Sequence, residues 1–346
     1  PIPRFLASQS RVPPIMNNPA DSASPMELPD GIRLSMRIPP KPSGDDLAFV
    51  SQLGVDHVYT WLEDHQTSFD YLVELKSRLN DQGLTLFNAA NLRLGKSDRI
   101  HLALPGRDEV IADFKIFIQN LSRAGIHTTT FTWEPGYVHS TANEPTRGGA
   151  MSRAVDLEAL KKQPPTHQGS YSHDDIWENY TYFIRELIPV AESEGVRLAL
   201  HPNDPPIPDI NGVPCLIHNR ACYERAFEIA DSPNLGMEFC VGCWSEGGKG
   251  FGDIFEGVRD FVGAGKIFIV HFRNISAPLP HFVETFIDYG YQDMAAVLEE
   301  FHRAGYRGTL SLDHFPIMTA GKDPSVAYAI GYVKAMMDRL PKNMVS

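Results

Sequence analysis

Short apolar runs alternate along the chain with longer segments in which apolar residues recur every three or four positions. A glycine usually marks the passage from the longer segment to the next short run. Glycine after a helix accepts the left-handed conformation that closes the last turn, so it reads as a stop signal. Runs 55–60, 84–88, 126–131, 196–200, 266–272 and 309–312 each follow such a glycine, 236–239 opens on one, and 32–36 stands first with no helix before it. These predict eight strands. The amphipathic segments predict helices over 45–53, 68–81, 108–124, 174–194, 221–230, 253–262, 293–304 and 324–340. Several open on Asp or Ser, whose side-chain oxygen accepts an orphan N–H of the first turn.

Strand and helix alternating eight times predicts an α/β fold, a closed (β/α)8 TIM barrel. A doubly wound open sheet is the competing architecture. It usually carries a glycine-rich phosphate loop after its first strand, and here that place reads Arg37-Ile38-Pro39-Pro40-Lys41-Pro42. Two segments stand outside the alternation. Residues 1–29, rich in Pro, Ser and Asn and opening at Pro1, are expected to form an N-terminal arm or the remnant of a processed leader. A polar stretch from Glu134 to about Ser172 is a long insert after strand four, expected to serve as a lid or a subunit contact. Gly247, Gly248, Gly250 and Gly252 are expected to form a flexible loop. Residues 30–346 are thus expected to be a single catalytic domain.

Composition narrows the partners. The 346 residues carry a formal net charge of -12. So acidic a surface repels nucleic-acid phosphates and anionic lipid, and no stretch is long and apolar enough to span a bilayer. Neither nucleic acid nor membrane is an expected partner. A small anionic substrate is compatible, because a metal ion and a few arginines reverse the field locally. A cytoplasmic enzyme that forms homo-oligomers is expected, with the periplasm as the alternative if a leader is removed. The four cysteines, Cys215, Cys222, Cys240 and Cys243, do not form a disulfide framework by number or spacing. The C-x-x-C pair Cys240/Cys243 lacks a second pair, and histidines elsewhere are better placed to share a metal.

Parallel barrels work at the C-terminal ends of their strands, where the βα loops open. Strand five ends in His201, strand six in Cys240, strand seven in His271, and strand eight leads to Asp313-His314. Taken singly, each has an ordinary explanation: a satisfied polar group, a small core residue or a helix cap. Together, at equivalent places on four consecutive strands, two imidazoles, a thiolate and a carboxylate make a mixed N/S/O site for a divalent ion. Mn2+ is the ion expected, with Fe2+, Mg2+ and Zn2+ as alternatives. Other strand-end groups are candidates to meet substrate: Arg37, Asn88, Trp133, Arg147 in the insert, and Arg273, whose guanidinium fork suits a carboxylate. For Arg273 a salt bridge at the rim is an equal alternative.

These residues sit in segments that resemble the mannonate dehydratase family of the xylose-isomerase-like barrel superfamily. His201-Pro-Asn-Asp-Pro-Pro206 resembles the family's HPDDPP, Phe239-Cys240-Val-Gly242 its FCTG, and His271-Phe-Arg-Asn274 its HLRN. Asp293-Met294, Gly305-Tyr306-Arg-Gly308 and Asp313-His314 together resemble a further family run. The resemblance implies a metal-dependent hydro-lyase, with His201, Cys240, His271 and Asp313 as ligands and His314 as acid/base. It also implies D-mannonate or a related sugar acid as substrate and a 2-keto-3-deoxy product. The chain departs from the pattern at Asn203, at Phe315 and at Cys243-Trp244. At Gly321-Lys322-Asp323-Pro324 the family has a tyrosine and this chain has none. Two other readings use the same barrel. One is an aldose–ketose isomerase or epimerase, whose carboxylate-rich metal sites Cys240 argues against. The other is a catalytically idle barrel, favoured only by the missing tyrosine.

Overall fold

In the computed structural model, Leu28, residues 31–136 and residues 138–341 are described. Eight parallel strands form one sheet: β1 (Arg33–Arg37), β2 (His57–Leu62), β3 (Thr85–Asn91), β4 (Thr128–Thr132), β5 (Arg197–His201), β6 (Leu235–Cys240), β7 (Ile267–His271) and β8 (Thr309–Ser311). Their spatial order, β3-β2-β1-β8-β7-β6-β5-β4, is the cyclic order of a barrel opened between β3 and β4. No backbone ladder joins that last pair among the described residues. A buried side-chain bond spans it instead, Asn88 Nδ2 donating to Thr130 Oγ1 at 2.9 Å. Gly95, just past β3, lies so close to the Thr130 carbonyl that a β-carbon there would sit 3.0 Å from the oxygen.

The main helices follow the strands: α1 (Gly44–Gln52), α2 (Phe69–Asn80), α3 (Arg107–Arg123), α4 (His173–Glu194), α5 (Arg220–Ala230), α6 (Ile254–Gly263), α7 (Met294–Arg303) and α8 (Asp323–Met337). The longest, α4, shows why the sequence stops where it does. Ser172 and Asp175 form a reciprocal capping box at its start, and Gly195 ends it at φ +61°. Its inward stripe, Ile176, Tyr180, Phe183, Ile184 and Leu187, is buried against the barrel. No helix among the described residues is long and apolar enough to cross a membrane.

Three features depart from the sequence expectations or add to them. The segment expected to be a flexible glycine loop begins as a helix, Val241–Gly247, and continues as a tight turn, Gly248–Gly250. Close packing explains Gly247, where a β-carbon would meet Phe251 at 2.7 Å, and backbone conformation explains Gly248 and Gly252, at φ +51° and +142°. The insert after β4 is stitched down: its strand Ala154–Asp156 pairs antiparallel with His281–Thr285, which in turn pairs with Asn274–Ile275. That hairpin after β7 has no counterpart in the expected elements. The N-terminal arm, apart from Leu28, lies outside the described residues.

Candidate metal centre

Strand register assembles the site. Cys240 and His271 are direct partners across β6 and β7, and His271 pairs with Ser311 of β8, two residues before Asp313. His201 closes β5 on the other side of β6. Ligand atoms of His201, Cys240 and His271 lie within 4.8 Å of one another. Asp313 stands outside that cluster but touches it, with Oδ2 at 3.6 Å from His271 Nδ1.

The donors differ in the form they present to a cation. His201 Nδ1–H donates to the Pro202 carbonyl at 2.7 Å, which leaves Nε2 as the nitrogen open to a ligand. Burial opposes ionisation of Cys240, but the backing of Cys243, Arg273 and the two imidazoles outweighs it and holds the thiol well below its usual range. Burial likewise opposes charge on His271, and Glu238 and Asp313 overcome it, so the ring binds its proton tightly when no metal competes. Asp313 Oδ1 and His271 Nδ1 are buried without a hydrogen-bond partner, while His271 Nε2 lies 2.7 Å from Glu238 Oε1. Orphaned polar atoms that converge in a buried place are costly unless something fills the gap, and these donors fit a divalent ion.

Behind the ligands lies a dense ion network. Arg273 donates from Nε to Asp313 Oδ2 (3.1 Å), and its two terminal nitrogens reach Glu246 Oε1 (2.7 Å) and Asp204 Oδ2 (2.9 Å). Arg153, from the insert, reaches Asp204 Oδ1 (2.7 Å) and Glu284 Oε1 (2.9 Å). Glu284, on the hairpin after β7, also holds His314, with Nδ1 to Oε1 at 2.6 Å. Burial lifts the Glu284 carboxyl, but His314 and Arg273 bring it down to about 2. His314 shows the mirror effect: burial disfavours its charge, and Glu284 and Asp313 raise its pKa nonetheless. Asp204, Cys243 and Glu246 also lie within metal-ligand spacing of one another, but the guanidinium of Arg273 already reaches all three.

A cavity of about 240 Å³ opens over the cluster, lined by His201, His271, Asp313 and His314 with Arg37, Tyr59 and Lys96 around them. Arg37, at the end of β1, is exposed and has no carboxylate partner among the described residues. Tyr59 is buried beside His271, and burial pushes its hydroxyl up to about 12, so it stays protonated.

Four residues expected at the substrate are placed elsewhere. Arg273 is 2% exposed and its donors are spent on the ion network, so it cannot clamp a substrate carboxylate. Gly242 makes that possible, because a side chain there would collide with the guanidinium. Asn88 serves the seam between β3 and β4. Trp133 is fully buried among His101, Tyr180 and Phe183. Arg147 makes a bidentate pair with Asp288 at 2.6 and 3.2 Å and lies over Phe286, away from the cavity. Residues passed over in the sequence include Glu238, which shares a strand face with Cys240 by the two-residue period, and Lys96, paired with Glu134 at 2.7 Å.

The fold and the site define a (β/α)8 barrel with a candidate metal centre at its mouth. Residues 155–340 match a family model described as D-mannonate dehydratase (UxuA). The chain belongs to that family, and with it to the hydro-lyases. It is 29% identical to mannonate dehydratase 2 of Halalkalibacterium halodurans over 271 residues, 70% of this chain and 77% of that one. It is 28% identical to the mannonate dehydratase of Thermotoga maritima over 282 residues, covering 71% and 77%. The crystal structure of mannonate dehydratase from Streptococcus suis serotype 2 superimposes with a TM-score of 0.76 at 25% identity, covering 88% of this chain and 93% of that one. A xylose isomerase domain protein from Planctomyces limnophilus, at 15% identity and a TM-score of 0.62, shares the fold.

Proposed function

We propose that residues 30–346 act as one catalytic unit that removes water from D-mannonate or a closely related sugar acid, giving a 2-keto-3-deoxy product. The observation that carries this reading is the convergence of His201, Cys240, His271 and Asp313, with their orphaned donor atoms, beneath a cavity that also presents His314 and Arg37. A bound divalent ion supplies Lewis-acid stabilisation of the charge that develops when the weakly acidic proton beside a carboxylate is removed. Mn2+ is the ion we propose. The imidazole and carboxylate donors suit it, and the thiolate makes Fe2+ or Zn2+ the competitors.

The chain's own groups divide the remaining work. Arg37, the exposed guanidinium at the cavity, is the carboxylate anchor. His314 is the acid/base. With Nδ1 committed to Glu284, its Nε2 is the nitrogen left to exchange a proton with substrate. Glu284 is itself fixed by Arg153, so the insert contributes to the orientation of the ring. Tyr59, held protonated beside the ligands, is a hydrogen-bond donor toward the substrate's hydroxyls.

The test is turnover of a panel of aldonates and aldoses by the purified protein supplied with Mn2+, with thiobarbiturate detection of 2-keto-3-deoxy acids and a separate assay for ketose. Product from D-mannonate or a stereochemical neighbour is the expected result. A reducing ketose formed from an aldose would assign an isomerase instead, and no product from any aldonate or aldose would assign an idle barrel.

A further inference from the structure

Glu238 lies within the metal centre, and neither the resemblance nor the four-ligand set gives it a role. It sits on β6 two residues before Cys240, so its side chain enters the barrel on the same face. It is 2% exposed, in a strand whose other residues are Leu, Gly, Met, Phe and Cys. A carboxylate in such a place is costly unless a cation or donor meets it. What meets it is the His271 ring, with Oε1 at 2.7 Å from Nε2. The other ring nitrogen, Nδ1, faces Asp313 Oδ2 at 3.6 Å.

We propose that Glu238 is a positioning residue for the metal: its carboxylate accepts a hydrogen bond from the Nε2–H of His271, so that His271 binds the ion through Nδ1. This rests on the reading of His201, Cys240, His271 and Asp313 as the ligands. An imidazole bound to a metal keeps one N–H, and the partner of that N–H decides which nitrogen faces the ion. In His201 the Pro202 carbonyl makes the choice and Nε2 is left open. In His271 the positions are exchanged: the carboxylate claims Nε2, and Nδ1 is the nitrogen beside the fourth ligand. The two rings therefore present opposite nitrogens to one ion. A carboxylate behind an imidazole also raises its basicity, which strengthens its bond to the ion.

The test titrates Co2+ into the metal-free protein, reading affinity and the thiolate-to-cobalt absorption band. Wild type is expected to bind one ion with that band. Glu238→Gln is expected to keep the band and bind about 10–100-fold more weakly, while Glu238→Asp recovers part of the loss. Equal affinity in wild type and Glu238→Gln would overturn the proposal. Absence of stoichiometric binding and of the thiolate band in wild type would instead overturn the four-ligand reading beneath it. A structure of the metal-loaded wild type decides the matter without any variant. The ion on Nδ1 of His271, with Nε2 bonded to Glu238, is the expected result; the ion on Nε2 would refute it.

Discussion

Replacing Arg273 by methionine separates the structural role assigned to this residue from the substrate clamp its sequence suggests. The guanidinium is 2% exposed and bonds Asp313, Glu246 and Asp204 at 2.7–3.1 Å. Methionine fills a similar volume but leaves those carboxylates facing one another. Arg153 still covers Asp204, at 2.7 Å, but Asp313 is left among the described residues with only the His271 and His314 rings, at 3.6 and 3.9 Å. Removing one partner of a buried ion pair costs about 3–5 kcal/mol. With about 2.1 cal/mol/K of unfolding entropy per residue over 346 residues, that is a fall in Tm of about 4–7 °C. The assay is thermal unfolding of the metal-free proteins followed by circular dichroism, so that loss of the ion does not enter. Arg147→Met is the control. Its pair with Asp288 is 38% exposed on the arginine side, and solvent screening limits the loss to under about 1 kcal/mol. If Arg273→Met melts within about 1 °C of wild type and shows only a raised KM, Arg273 binds substrate and the ion-network account is wrong.

Three further outcomes follow from the same geometry. Arg37→Ala should raise KM for the sugar acid about 10–100-fold, the worth of a hydrogen bond to a charged group, without lowering metal content; an unchanged KM would place the carboxylate anchor elsewhere. His314→Asn should retain the ion and lose about 100- to 10,000-fold in kcat, and full turnover would remove its acid/base role. Glu284 makes a pH prediction, because its carboxyl falls from the usual 4.5 to about 2 in the folded protein. A depressed carboxyl stabilises the fold fully above its ordinary value, and that contribution is lost as pH falls through 4.5 toward 2. Unfolding free energy of the metal-free protein should therefore drop across that window, and Glu284→Gln should show a shallower slope; identical slopes would contradict the assignment.

Much of the barrel is legible in the sequence because its signals are local. Gly195 at φ +61° ends α4 where the glycine pattern predicts, and the eight strands fall within a few residues of the apolar runs. The strand ends of β5, β6 and β7 deliver His201, Cys240 and His271 for the same reason. Partners that arrive from distant segments are not local. Glu284 comes from a strand of 5 residues, and Arg153 lies between two strands of 2 and 3, all too short to show a period; they meet through the insert's pairing with His281–Thr285. Arg273 illustrates the limit well. The sequence displays a charge beside a ligand, but its partners Asp204 and Glu246 lie 69 and 27 positions away. Trp133 fails differently: it follows β4 directly, yet its ring turns into the aromatic cluster with Tyr180 and Phe183. Glu238 was open to view, since a glutamate two residues before Cys240 in an apolar strand must share its face.

The central claim is that one divalent ion is held by side chains from four neighbouring strand ends, and anomalous diffraction from crystals of the Mn2+-reconstituted protein tests it most directly. A single strong peak in bonding contact with His201, Cys240, His271 and Asp313 is the predicted result. A peak elsewhere in the barrel, or one that leaves any two of those four residues unbonded, would contradict the account.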